Sequence, residues 1–152
     1  MSDVSKAALL CVVTILSVIQ IPLDVRFHEL SRRATLLATL AVVAIGGIDA
    51  LQGESWSSFI AATYLSLLLL CCYGLLHWIS PKSLGFGDVL LVVPLTFAVA
   101  YVAVDRLIVW QLLASMSGAF HAVFVRARYG TKKIPFGPYL LGSAWIVLVV
   151  SV

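Results

Sequence analysis

Two aspartates carry the chemistry that this sequence offers. Asp24 closes one apolar run, and Asp88 follows Gly85-Phe86-Gly87 at the start of another. Neighbouring carboxyl groups cannot both ionise easily, so such a pair shares a proton and titrates as one unit. The ionised member activates a water molecule while the protonated member polarises the carbonyl under attack. That is amide hydrolysis without a metal or a covalent intermediate, and it implies no cofactor. Gly85 and Gly87 would free the backbone before Asp88 to take unusual dihedrals and let a substrate backbone come close. The plainer reading of Asp88 is a helix cap, since a carboxylate there satisfies free N–H groups and the helix dipole.

Competing chemistries lack their residues. His28, His77 and His121 are scattered with no HExxH pattern, so no metal site is expected. Cys11, Cys71 and Cys72 lie in apolar stretches with no CxxC pair and no Cys/His ligand spacing, which argues against zinc and against a disulfide framework. Ser55, Ser57 and Ser58 belong to no GxSxG elbow.

The aspartates need elements that bring them to one place, and composition says in which solvent. The chain has 152 residues, 62% hydrophobic and 11% charged. Soluble domains carry roughly 25% charged residues. A soluble chain of this length hides only about 70% of its unfolded surface, so lipid is the fitting solvent. The net charge of +3 comes from short basic runs between apolar segments, which form no nucleic-acid-binding stripe. Lys6 stands alone before the first apolar run, and no small-residue cleavage site follows it, so that segment is expected to stay.

About 20 apolar residues span a bilayer, within a range of roughly 17 to 25. The expected fold is all-α: a single polytopic domain over residues 1–152, a bundle of six transmembrane helices near residues 7–23, 34–51, 57–79, 88–104, 107–125 and 136–152. The fourth contains Pro94 and is short, and the tight link Asp105-Arg106 implies that consecutive helices are antiparallel neighbours.

In that arrangement Arg26, Arg32, Arg33, Lys82, Arg126, Arg128, Lys132 and Lys133 fall on one side, against Lys6 and Arg106 on the other. The positive-inside rule makes the richer side cytoplasmic and puts both termini outside the cytoplasm. Those basic residues set topology and touch anionic lipid headgroups. Asp24 and Asp88 then share the cytoplasmic level, where a membrane carboxylate often marks a functional site. Asp3, Asp49, Glu54 and Asp105 fall on the outer side and are expected to be solvated. Trp56, Trp78 and Trp110 are expected as interfacial anchors. His77 and His121 read as interface or packing residues, and His28 as a neighbour that tunes Asp24.

Three segments, in order, resemble one family. Leu84-Gly85-Phe86-Gly87-Asp88-Val89-Leu90 resembles the GxGD motif of the type IV prepilin peptidases, membrane aspartic proteases of the A24 class. Pro22-Leu23-Asp24-Val25-Arg26-Phe27-His28-Glu29-Leu30-Ser31 is similar to that family's first aspartate block, and Lys132-Lys133-Ile134-Pro135-Phe136-Gly137-Pro138 to its IPFGP segment. The resemblance implies a leader peptidase that cuts prepilins or pseudopilins at the cytoplasmic membrane face, between a short basic leader and an apolar helix. Asp24 and Asp88 would be the catalytic pair, with Gly85, Gly87, Pro135 and Gly137 in the supporting motifs. Two departures stand out. The family's Ile-Pro-Asn or Leu-Pro-Asn turn reads Leu30-Ser31-Arg32 here, and the paired CxxC motifs that accompany N-methyltransferase activity in longer members are missing. A short, protease-only form is the expectation.

The last motif also reads as a bare helix start, because proline suits a first turn. Its functional alternative is an open, strand-like edge beside the aspartates that pairs with extended substrate. Two other functions compete with hydrolysis: a small ion- or proton-coupled transporter, which should show repeat symmetry or mid-membrane acids, and an inactive scaffold of a pilus assembly machine.

Overall fold

The computed structural model describes residues 2–53, 55–80, 84–129 and 135–151. Among them every regular element is helical: α1 (Asp3–Phe27), α2 (Arg32–Leu51), α3 (Trp56–Ile79), α4 (Phe86–Ala103), a 3₁₀ turn (Val104–Arg106), α5 (Leu107–Tyr129) and α6 (Gly137–Ser151). Helices satisfy their own backbone polar groups, which hydrocarbon cannot do for them. Four stretches are long and apolar enough to cross a membrane: Asp3–Phe27, Arg32–Leu51, Trp56–Ile79 and the 43-residue run Phe86–Arg128 that contains α4 and α5. Gly137–Ser151 is a shorter apolar helix. Val18, Leu37, Leu67, Trp78 and Phe120 lie exposed on the outside, as expected where the solvent is lipid. Lys82, Lys132, Lys133, Ile134 and Glu54 lie outside the described residues.

Caps set the helix limits. Ser2 accepts the Ser5 N–H to start α1, and His28 ends it in the left-handed region at φ 53°. No residue in 24–27 stops the helix earlier, so Asp24 sits inside the last turn of α1 and does not open a connection. Ser31 starts α2 by accepting the Ala34 N–H. That helix ends in a turn where Gly53 has φ +104°, a conformation only glycine adopts cheaply.

Side-chain contacts give the direction of each helix. α1 and α2 are antiparallel, joined at one end by Gln20 with Ser31 and Thr35 and at the other by Ser2 and Ser5 with Asp49. α3 and α4 are antiparallel too, since His77 meets Leu84 while Phe59 meets Phe97. α6 runs against α1, through Gly137 with Asp24 and Trp145 with Thr14. It also runs against α5, through Arg106 with Ser151 and Tyr139 with His121. α2 and α4 run parallel, with Leu30 beside Gly87 at one end and Asp49 bonded to Tyr101 at the other. The apolar run Phe86–Arg128 therefore doubles back at its 3₁₀ turn.

α4 is the central helix. Twelve of its eighteen residues are buried, from Asp88 to Tyr101, and α1, α2, α3 and α6 all pack against it. Close approach to α2 depends on Gly46, where a Cβ would stand 2.8 Å from the Phe97 ring. Trp110, expected as an interfacial anchor, is instead fully buried and donates its indole N–H to the Leu140 carbonyl. Trp110 lies one turn into α5, whose start at Leu107 is as expected, but on the face that packs against α6. Trp56 and Trp78 are exposed.

The far end of the bundle is pinned by Asp49, which is buried at 4% exposure and not solvated as the sequence suggested. Its carboxylate accepts from the Ser2 N–H at 3.2 Å and from the hydroxyls of Ser2, Ser5, Ser55 and Tyr101 at 3.0, 2.6, 3.0 and 2.8 Å. Elements α1, α2, α3 and α4 meet there. Ser55 spends its hydroxyl on Asp49 and makes no side-chain cap for α3. Asp3 stays exposed beside Lys6, and Asp105 is exposed. Removing the acceptor strands several donors at once, so Asp49→Ala should lose about 2–4 kcal/mol. An unfolding midpoint in detergent that matches wild type would contradict this role for Asp49.

Candidate active site

At the other end, three helix ends converge on the two aspartates. Asp24 lies in the last turn of α1 and Asp88 in the first turn of α4, and both are buried, at 5% and 7% exposure. They line one cleft of about 370 Å³ with His28, Glu29, Leu30, Arg32, Gly85, Phe86 and Gly87.

The N-terminus of α6 completes this site. The Gly137 N–H donates to Asp24 Oδ2 at 3.0 Å, across 113 positions of sequence. It is a free amide of a first helical turn, where the helix dipole also favours an anion. Glycine is needed for space: a Cβ on Gly137 would sit 2.6 Å from Asp24 Oδ2. The segment is thus a helix start from Gly137 onward. Pro135 and Phe136 precede it in irregular backbone, so the strand-like edge does not include Gly137 or Pro138.

Asp88 is held by its own turn. Gly85 is the N-cap of α4, and its N–H donates to Asp88 Oδ2 at 3.2 Å, while the Asp88 N–H returns to the Gly85 carbonyl at 3.1 Å. The capping role foreseen for Asp88 is real, though it is played from the third helical position. The glycines before it differ from expectation. Gly85 has φ −70° and ψ 145°, open to any residue, and the positive-φ glycine among the described residues is Gly53. Gly87 is required for room, because a Cβ there would stand 2.9 Å from the Cβ of Leu30.

Leu30 explains the departure from the familiar turn. It wedges between α4 and α6, against Gly87 and within 3.3 Å of where a Cβ on Gly137 would stand. Gln20, fully buried one turn before Asp24, holds the wedge in place. Its amide donates to the Ser31 carbonyl and to Thr35 Oγ1, each at 2.9 Å, and accepts the Ser31 N–H at 2.8 Å. The sequence does contain this signal: a glutamine in an apolar run, four residues before an aspartate, faces the same way and must find partners indoors.

The histidines act as braces. His77 Nδ1 bonds the Leu84 carbonyl at 2.7 Å and packs on Phe86, fixing the approach to Gly85. His121 bonds the Tyr139 hydroxyl and steadies the first turns of α6. His28 lines the cleft as the C-cap of α1. Arg32 reaches over the Phe86 ring at 5.7 Å.

Gln20→Leu leaves the Ser31 amide and carbonyl without their side-chain partner. It should cost about 2–3 kcal/mol and speed hydrogen exchange at Ser31. Unchanged exchange there would show that Leu30 is held by other means.

Known proteins offer one partial likeness. Over 71 aligned residues the chain is 35% identical to the prepilin leader peptidase/N-methyltransferase of Aeromonas hydrophila, a stretch that makes up 45% of this chain and 23% of that protein. The chain thus matches less than a quarter of that relative's length. No family profile and no solved structure matches. The site described above stands beside this similarity to a prepilin leader peptidase, which extends over almost half of the chain.

Proposed function

We propose that the chain is a membrane aspartic endopeptidase of the type IV prepilin peptidase family. Residues 1–152 form one transmembrane domain of six spanning helices. The substrate is a prepilin or pseudopilin, cut at the cytoplasmic face of the inner membrane, and both chain termini lie on the opposite side. The observation that carries this reading is the shared cleft: two carboxylates 64 positions apart line one pocket at one end of an apolar bundle. The 35% identity to a prepilin leader peptidase points the same way.

The shared cleft supports the chemistry of an aspartic hydrolase. A water held between the carboxyl groups loses its proton to the ionised one as its oxygen attacks the scissile carbonyl carbon. The protonated one gives its proton to the carbonyl oxygen, and the amide nitrogen leaves after taking a proton from the pair. Gly137 keeps an N–H on Asp24, and Gly85 keeps one on Asp88, so each carboxyl has one oxygen fixed and the other free to face water. The cleft opens at the helix ends where Glu29 and Arg32 are exposed, which gives an extended segment access.

Purified protein in detergent or lipid should cleave a prepilin, and Asp24→Asn or Asp88→Asn should each reduce the rate at least about a thousandfold while the protein still folds. Full activity in either variant removes the proposal. Gly137→Ala should push the Asp24 carboxylate aside and slow cleavage about 10- to 100-fold at near-native stability. A cysteine placed at Glu29 should react with reagents on the cytoplasmic side, and one at Asp105 with reagents on the other. Labelling of both from one side would refute the six-span topology.

A further inference from the structure

An open groove of about 450 Å³ runs between α1 and α6 on the outside of the bundle and has no part in the mechanism so far. Val18, Ile21 and Pro22 of α1 lie along it, and Val18 is exposed. Gly142 of α6 keeps it open, since a Cβ there would meet nothing within 4 Å. Trp145 closes the end farthest from the aspartates by donating its indole N–H to Thr14 Oγ1 at 3.0 Å. The lining is apolar in spite of two hydroxyls, because Thr14 donates to the Leu10 carbonyl and Ser17 to the Val13 carbonyl. From Thr14 to Pro22 it follows about 12 Å of helix, or about two turns.

The direction of the groove singles it out. Ser17 and Ile21 of the groove and Asp24 of the cleft follow at spacings of four and three residues, on one stripe of α1, and His28, one turn further, also lines the cleft. The groove therefore leads along α1 to the aspartates. A second apolar groove, between α1 and α2, takes Ile15 and Ile19 from α1. Those residues lie about half a turn round the helix from Asp24, so that groove does not lead to the site.

We propose that the groove between α1 and α6 receives the apolar transmembrane helix of the substrate, while the scissile bond lies in the cleft. This assignment rests on the proposed hydrolysis. Continuity with the cleft favours a substrate helix over a lipid tail or a second copy of the chain. A peptide stretched across the aspartates has to turn into the bilayer, and the apolar path on the stripe of Asp24 is this one. The gap at Gly142 lets such a helix approach closely, which is how helices hold one another in lipid.

Gly142→Leu tests this, because it fills the groove and replaces a helical glycine by a better helix former. KM for a full-length prepilin should rise about tenfold or more with kcat within about twofold of wild type, while a short peptide that covers the cut but lacks the apolar helix is cleaved as by wild type. Ala41→Leu, in the groove between α1 and α2, should leave both substrates unaffected. Binding is read without cleavage in Asp24→Asn carrying a photoreactive phenylalanine analogue in place of Val18, or in place of Leu37 in the other groove. The probe at Val18 should cross-link to the apolar helix of the prepilin and the probe at Leu37 should not. An unchanged KM in Gly142→Leu, a rise that the short peptide shares, equal cross-linking from Leu37, or cross-links from Val18 to lipid or a second copy alone would each overturn the inference even if wild type cleaves its substrate. Cross-linking from Val18 alone, when wild type cuts no prepilin, supports the docking and refutes the proposed function instead.

Discussion

A polar side chain inside an apolar bundle has to find its partner within the protein, and the partners available fix which helices touch and in what register. The bond from the Gly137 amide to Asp24 is the clearest case. It ties the last helix to the first, and through Leu30 it brings the start of α4 against both. Hydrophobic burial cannot choose among such arrangements in lipid, because the tails outside are as apolar as the helix faces. Hydrogen bonds and the small residues that allow close approach make the choice.

The two ends of the bundle use this rule differently. Asp49 collects five donors from three other elements, so its carboxylate is saturated and the helices around it are pinned. Among the described residues Asp24 accepts one such side-chain bond, from Gly137, and Asp88 one, from Gly85. A buried carboxylate with unused lone pairs is a liability to stability unless something else approaches it. One end thus has the satisfaction expected of a structural clasp, while the other retains capacity to bind.

Much of this was legible in the sequence because its signals are local. Apolar run length located the helices to within a few residues, and the order of those helices brings the end of the first and the start of the fourth, with Asp24 and Asp88, to one end of the bundle. What failed was the inference from position along a helix to its surroundings. Asp49 and Trp110 both lie near helix ends, where solvent or headgroups are the usual neighbours, yet both are buried. Tyr101 and Ser55 come to Asp49 from other helices, and α6 comes to Trp110, so no local pattern announces either. The glycines were misjudged for a related reason: Gly87 and Gly137 are required by a distant leucine and a distant carboxylate, and not by their own dihedral angles.

The same logic recasts the first of the two departures from the family that the chain resembles. Leu30-Ser31-Arg32 lacks the expected proline and asparagine, residues that would shape the turn by their own backbone preferences. Here the turn is shaped from outside. Gln20 bonds both backbone groups of Ser31, Ser31 caps α2, and Leu30 fills the space that two glycines leave. A buried glutamine and an apolar wedge replace a turn-forming dipeptide, so a loss of local sequence likeness is compatible with the same placement of Asp24. The dependence on Gln20 follows directly: a chain that keeps its own turn residues could dispense with that side chain, whereas this one has moved the constraint into the helix that carries the aspartate.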